Sequence, residues 1–198
     1  MNIKTFVSAL EAIEKTFSIE HIAELAAYAC AQAAQKRPNF DPLDALVSVC
    51  WRTGLRALLG DILRAHGVLT YATVKTVEDS REWKGVRITH QLRPKQSAAD
   101  PDTGAKLADG EVKAALQFAL AAIDTSAAAD IVTAYRLKKE EEKKTKKAER
   151  EAAKRRPEYW RERLEKLLKE AAKNGVEIGL DPSTVKIKAM LEAVAKAA

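Results

Sequence analysis

The sequence predicts a mainly helical α+β chain with one β-hairpin, and three observations carry that prediction. Apolar residues recur at spacings of three and four through most of the first 65 positions, the signature of amphipathic helices. The period changes to two after Gly67, where β-branched residues alternate with polar ones. A stretch with no Gly, Pro or aromatic residue, Arg136 to Arg156, then carries a surplus of six positive charges. Its flanks are almost neutral. The predicted organisation is a helical domain over residues 1–135, a charged basic helix over 136–156, and a small helical module over 157–198.

Taken in order, Ile3, Phe6, Val7, Leu10, Ile13 and Phe17 lie on one face of a first helix. Ser18 can cap a second, whose inward stripe is Ile19, Ile22, Leu25, Ala26, Ala29, Cys30 and Ala33. Lys36 and Arg37 close it, and Pro38 stops it. Asp41 followed by Pro42 is a start signal, with Asp44 favourable in the first turn. From Leu43 to Leu63 the sequence is apolar almost all round and predicts one buried central helix. Gly54 and Gly60 inside it suggest places where a neighbour approaches closely.

Residues 68–77 and 86–92 predict two strands joined by the loop EDSREWKG, a hairpin over about 68–92. Val86, Ile88, His90 and Leu92 fall on one face of the second strand, and Trp83 at the tip is expected to fold back onto the hairpin. Pro94 to Asp109 predicts an irregular, mobile loop. Helix resumes near Gly110 with Val112, Ala115, Leu116, Ala119, Leu120 and Ile123, and breaks at Asp124, Thr125 and Ser126. Ile131, Val132 and Tyr135 then lead into the charged stretch.

Within that stretch, i,i+3 and i,i+4 pairs between Glu140, Glu141 or Glu142 and Lys143, Lys144 or Lys146 support an exposed helix that could be a simple connector. A second reading makes it a basic arm for nucleic acid: Lys143, Lys144, Lys146, Lys147, Arg150, Lys154, Arg155 and Arg156 lie close together with only two acids among them. After Pro157, Trp160, Leu164, Leu167, Leu168 and Ala171 share one helical face, with Lys166, Lys169 and Lys173 opposite. Asn174 and Gly175 supply a C-cap, and Asp181 with Pro182 starts a final helix carrying Lys186 and Lys188.

The run LEKLLKEAAKNGVEIGLDPSTVKIKAMLEAV resembles the helix, extended loop, helix modules of the SAP and HeH/LEM type. The resemblance rests on the leucines before the lysine-rich turn, the alternating Val176 and Ile178 after the glycine, and Ser183, Thr184 and Leu191. It covers about 30 residues. It implies DNA binding, or docking on a protein partner.

Chemistry is harder to find. Cys30 and Cys50 sit in apolar helical patterns and read as packing residues of a chain in a reducing cytoplasm. His21, His66 and His90 lie on separate elements without metal-ligand spacing, so neither a metal nor another cofactor is expected. There is no nucleophile elbow, dinucleotide fingerprint or phosphate-binding loop, and no run of the ~20 apolar residues that a membrane span needs. The functional expectation is a non-enzymatic accessory protein that binds nucleic acid, DNA rather than RNA. Its phosphate contacts would be Lys143, Lys144, Lys146, Lys147, Arg150, Lys154, Arg155, Arg156, Lys166, Lys169, Lys173, Lys186 and Lys188. The alternative is an adaptor or assembly protein that forms homo-oligomers, with the long helix as a spacer.

Overall fold

A computed structural model describes residues 1–16, 19–35, 40–96, 98–154 and 156–173. The chain is mostly helical with one antiparallel hairpin. Its contacts group it into two compact units, Met1–Lys138 and Lys139–Ala198.

In the first unit, α1 (Ile3–Thr16) buries Phe6, Leu10 and Ile13, and α2 (Ile22–Ala33) buries its predicted stripe from Ile22 to Ala33, while Ile19 precedes the helix and is only partly buried. The expected central helix is broken in two: α3 (Asp41–Arg52) and α4 (Arg56–Ala65). Gly54 makes the break, with φ +76 in the left-handed region where side chains are strained. A Cβ at Gly54 or at Gly60 would meet nothing within 4 Å, so neither glycine marks a close approach, and Gly60 has no evident structural reason. Both halves remain central, burying Leu43, Leu46, Val47, Val49, Cys50, Leu58, Leu59, Ile62 and Leu63.

The hairpin also departs from expectation at its start and its tip. Val68–Tyr71 forms a one-turn helix, α5, because Gly67 (φ +74) turns the chain and Thr70 N–H closes back on the Gly67 carbonyl. Strand β1 (Ala72–Trp83) then runs through most of the predicted loop and pairs with β2 (Val86–Pro94). Only Lys84 and Gly85 are left to turn, both at positive φ, which matches the right-handed twist of the two strands. Pairing is interrupted between Thr76 and Arg81. Trp83 packs edge-on against Phe6, with centroids 6.4 Å apart, so the tip folds back onto α1.

A two-stranded hairpin is marginal alone, and α3 is what holds this one. Asp44, Ser48 and Arg52, at i, i+4 and i+8, follow the edge of β2 that faces away from β1. Asp44 Oδ1 accepts from Leu92 N–H at 2.8 Å. Ser48 Oγ accepts from the Thr89 and His90 N–H groups and donates to the His90 carbonyl, all at 3.0 Å. Arg52 donates to the Arg87 carbonyl at 2.6 Å and pairs with Glu14 of α1. Four helical residues rise about 6 Å, and two strand residues about 6.6 Å, so the two ladders stay nearly in phase. A helix thus takes the place of a third strand. Asp44 is only 1% exposed and also meets Arg81 (3.1 Å), which Asp41 holds at 2.5 Å from the other side, where β1 rejoins the ladder.

The segment from Pro94 to Asp109 is irregular, as expected, and holds local turns: Asp100 accepts from the Asp102 and Thr103 N–H groups, and Ala99 bridges Lys106. Glu111 caps the start of α6 (Asp109–Ala121) by accepting from Ala108 N–H at 2.7 Å. Asp124 then caps α7 (Thr125–Lys154), accepting from Ala127 N–H. Ala128 and Val132 of α7 are buried in the first unit's core. Helix α8 (Pro157–Lys173) belongs to the second unit. The expected extended connector, the final helix with Lys186 and Lys188, and most of the SAP or HeH/LEM-like run lie outside the described residues.

Candidate nucleic-acid interface

Most of the candidate contacts in the second unit fall into three groups. On α7, at about 100° per residue, Lys139, Lys143, Lys146, Lys147, Arg150 and Lys154 lie within an arc of roughly 100°, and Glu140, Glu141, Glu142, Glu149 and Glu151 all lie outside it. Fifteen residues separate the first cation from the last, a stripe of about 22 Å. Lys144 is not part of it, since it stands about 100° from Lys143. Lys139 and Lys154 are steadied by Glu142 and Glu151, at 2.9 and 2.8 Å. Among the described residues, Lys143, Lys146, Lys147 and Arg150 are exposed and have no ion-pair partner. Lys139 had no place in the sequence-based set, although its i,i+4 relation to Lys143 puts it on the same face.

The second group, Lys166, Lys169 and Lys173 on α8, is exposed as expected but not cleanly basic. Glu158, Glu162 and Glu165 share the same side of the helix at this periodicity, which leaves that side close to neutral. The third group is Arg155, Lys186 and Lys188, which lie outside the described residues, while Arg156 is exposed just before α8.

An aromatic cluster sits where α7 gives way to α8. The Trp160 indole N–H donates to the Lys154 carbonyl at 2.6 Å, satisfying one of the carbonyls that a helix end leaves open. Tyr159 stands perpendicular to the indole with centroids 5.3 Å apart. The Arg163 guanidinium lies 6.0 Å from the indole centroid and donates to the Tyr159 hydroxyl at 3.2 Å. Trp160 is nonetheless 38% exposed. Periodicity had assigned it to an apolar face, and nothing in the sequence signalled that its ring would be tied to a helix terminus.

Other places offer less chemistry. Cys30 and Cys50 are buried, and desolvation pushes both thiols up, Cys50 to about 12, so neither carries an available thiolate. His90 is tilted against Trp51, and burial followed by the charge of Arg52 lowers its pKa. Among the described residues no three His, Cys, Asp or Glu side chains gather at metal-binding range, and no single helix is long and apolar enough to cross a membrane. A shallow apolar cleft of about 460 Å³ lies beside α6, lined by His66, Tyr71, Ala114, Ala115, Phe118 and Ala122 among others. Phe118 is 78% exposed there.

No protein-family model matches the chain, and neither a curated protein nor a solved structure is detectably similar to it.

Proposed function

We propose that this chain is a non-enzymatic nucleic-acid-binding accessory protein, acting on DNA rather than RNA, and that the basic face of α7 is its phosphate-binding surface. The stripe of six cations with no glutamate among them is the observation that carries the reading. A solvated connector is best stabilised by interleaving both charges around the helix, and here one face of about 100° is free of glutamate, with Glu142 and Glu151 outside it pairing with Lys139 and Lys154. Sorting adds nothing to an isolated helix. It concentrates positive potential along one line, which attracts a polyanion without selecting a sequence. Lys143, Lys146, Lys147 and Arg150 are the principal contacts, with Lys139, Lys154, Arg155 and Arg156 continuing them. Lys144, Lys166, Lys169 and Lys173 contribute long-range attraction. The test is the affinity of the full chain for a labelled duplex across a salt series. Four to five phosphate contacts give a slope of log affinity against log salt near −4.

One observation favours the adaptor alternative. An aromatic side chain exposed like Phe118 beside an apolar cleft is the composition of a protein contact. Under that reading Phe118→Ser lowers the sedimentation coefficient of a self-associated chain, or abolishes retention of a partner. Under the nucleic-acid reading it leaves the duplex titration unchanged.

A further inference from the structure

The aromatic cluster at the start of α8 lies at the end of the basic stripe, and the nucleic-acid reading alone gives it no task. Phosphate contacts require cations only, yet here an indole is fixed in orientation by its own N–H bond to the Lys154 carbonyl. Tyr159 buttresses it edge-on, and Arg163 lies near one side of it. A helix end can satisfy its last carbonyls with water, so the bond alone does not call for a tryptophan. What the tryptophan adds is a planar apolar ring, on a residue more than a third exposed, that loses little conformational freedom when something stacks on it. Lys154, Arg156, Arg161 and Arg163 stand within six residues of that tryptophan in the chain, with Glu158 and Glu162 among them. An aromatic face set among cations is the combination that binds a single strand, through stacking of its bases and attraction of its phosphates.

We infer that Trp160 is a stacking platform for an unpaired nucleobase, so that the chain engages single-stranded or frayed nucleic acid at the α8 end of the stripe. This rests on the reading of α7 as a phosphate-binding surface. The strand's phosphates follow Lys143, Lys146, Lys147 and Arg150, and one base lies on the indole. Arg163, which lies over one face of the indole and donates to the Tyr159 hydroxyl, leaves the other face to the base and is close enough to meet its phosphate.

The probes are two labelled 15-mers with the same number of phosphates, oligo(dA) and an oligomer of abasic sites. The full chain is expected to bind oligo(dA) about tenfold more tightly, the scale of one base on one aromatic ring. Trp160→Leu should remove that preference while leaving the abasic affinity and its salt slope as they were. Trp160→Phe, which keeps a ring but lacks the bond to Lys154, should retain part of it. A role confined to closing the α7–α8 turn would move both oligomers together. Should Trp160→Leu lose helicity, a Trp51→Phe/Trp83→Phe chain reports the same contact directly: oligo(dA) quenches its remaining emission and the abasic oligomer does not. Equal, salt-dependent affinity of the parent for both oligomers overturns the stacking inference and leaves the phosphate reading standing. Failure of the parent to bind either oligomer or a duplex overturns both.

Discussion

Replacing Lys143, Lys146, Lys147 and Arg150 with glutamine is expected to reduce duplex affinity by two to three orders of magnitude near 0.15 M salt. The estimate follows from counterion release: each contact contributes about 0.9 to the salt slope, so losing four flattens it by roughly 3.6. Glutamine keeps helix propensity close to that of lysine and arginine, so α7 should persist and circular dichroism should not change. The loss should be similar for unrelated sequences, because these residues are placed to meet phosphates rather than base edges. A comparison variant that removes three cations, Lys166, Lys169 and Lys173 to glutamine, should cost far less per charge, since Glu158, Glu162 and Glu165 already offset those cations on α8. If both variants lose affinity in proportion to charge removed, only net charge matters and the sorted face of α7 has no special role. If neither changes the titration, the adaptor reading leads.

The second large effect is on stability. Asp44→Ala leaves the buried Leu92 N–H without its acceptor and takes one carboxylate from Arg81, a loss of about 3 kcal/mol read from chemical denaturation. Asp44→Asn is informative in a different way, because its amide oxygen can still accept from Leu92. Burial raises the Asp44 carboxyl from 3.8 to about 6, outweighing the Leu92 hydrogen bond and the charges of Arg81 and Arg93, which act in the opposite direction. The folded state therefore holds this proton more tightly than the unfolded chain does. The stability that follows is fully present below about 3.8 and is lost as pH rises through about 6. The stability of the parent relative to Asp44→Asn should accordingly increase between pH 7 and pH 4, by up to about 3 kcal/mol. A difference that stays flat, or falls with acid, would mean that the Arg81 pairing outweighs burial.

Periodicity made much of this fold legible. The stripes of α1 and α2, the starts at Asp124 and Pro157, and the two-residue alternation of β2 are local properties of the chain, and each appears close to where its pattern begins, α2 starting at Ile22 rather than Ile19. The errors fell where a single residue overrode a long pattern. Gly54 at positive φ cuts an otherwise continuous apolar helix, and Gly67 converts the first four residues of an apparent strand into a helical turn. The acidic and basic residues of EDSREW resembled a loop, but salt bridges from Asp41 and Asp44 to Arg81 help keep that segment in the hairpin. For the candidate site, the surplus of charge was visible in composition, whereas its sorting required the helical phase of α7. Lys144 left the group and Lys139 joined it for that reason alone. The tie between Trp160 and Lys154 spans six residues and a helix break, beyond what an i,i+4 pattern can suggest.

The three side chains by which α3 follows β2 make the two strands unequal toward solvent. Lys95 N–H bonds to the Tyr71 carbonyl, which fixes the phase of the ladder and turns the amides of Val74 and Thr76 outward from β1, as those of Leu92 and His90 turn outward from β2. The outward amides of β2 are covered by Asp44 and Ser48, so they can exchange with deuterium only when α3 and the hairpin separate. Among the described residues no side chain accepts from the Val74 or Thr76 amide, and these amides of β1 should exchange sooner. Deuterium uptake at Leu92 and His90 should therefore report the stability of the helical body, although neither residue lies in a helix.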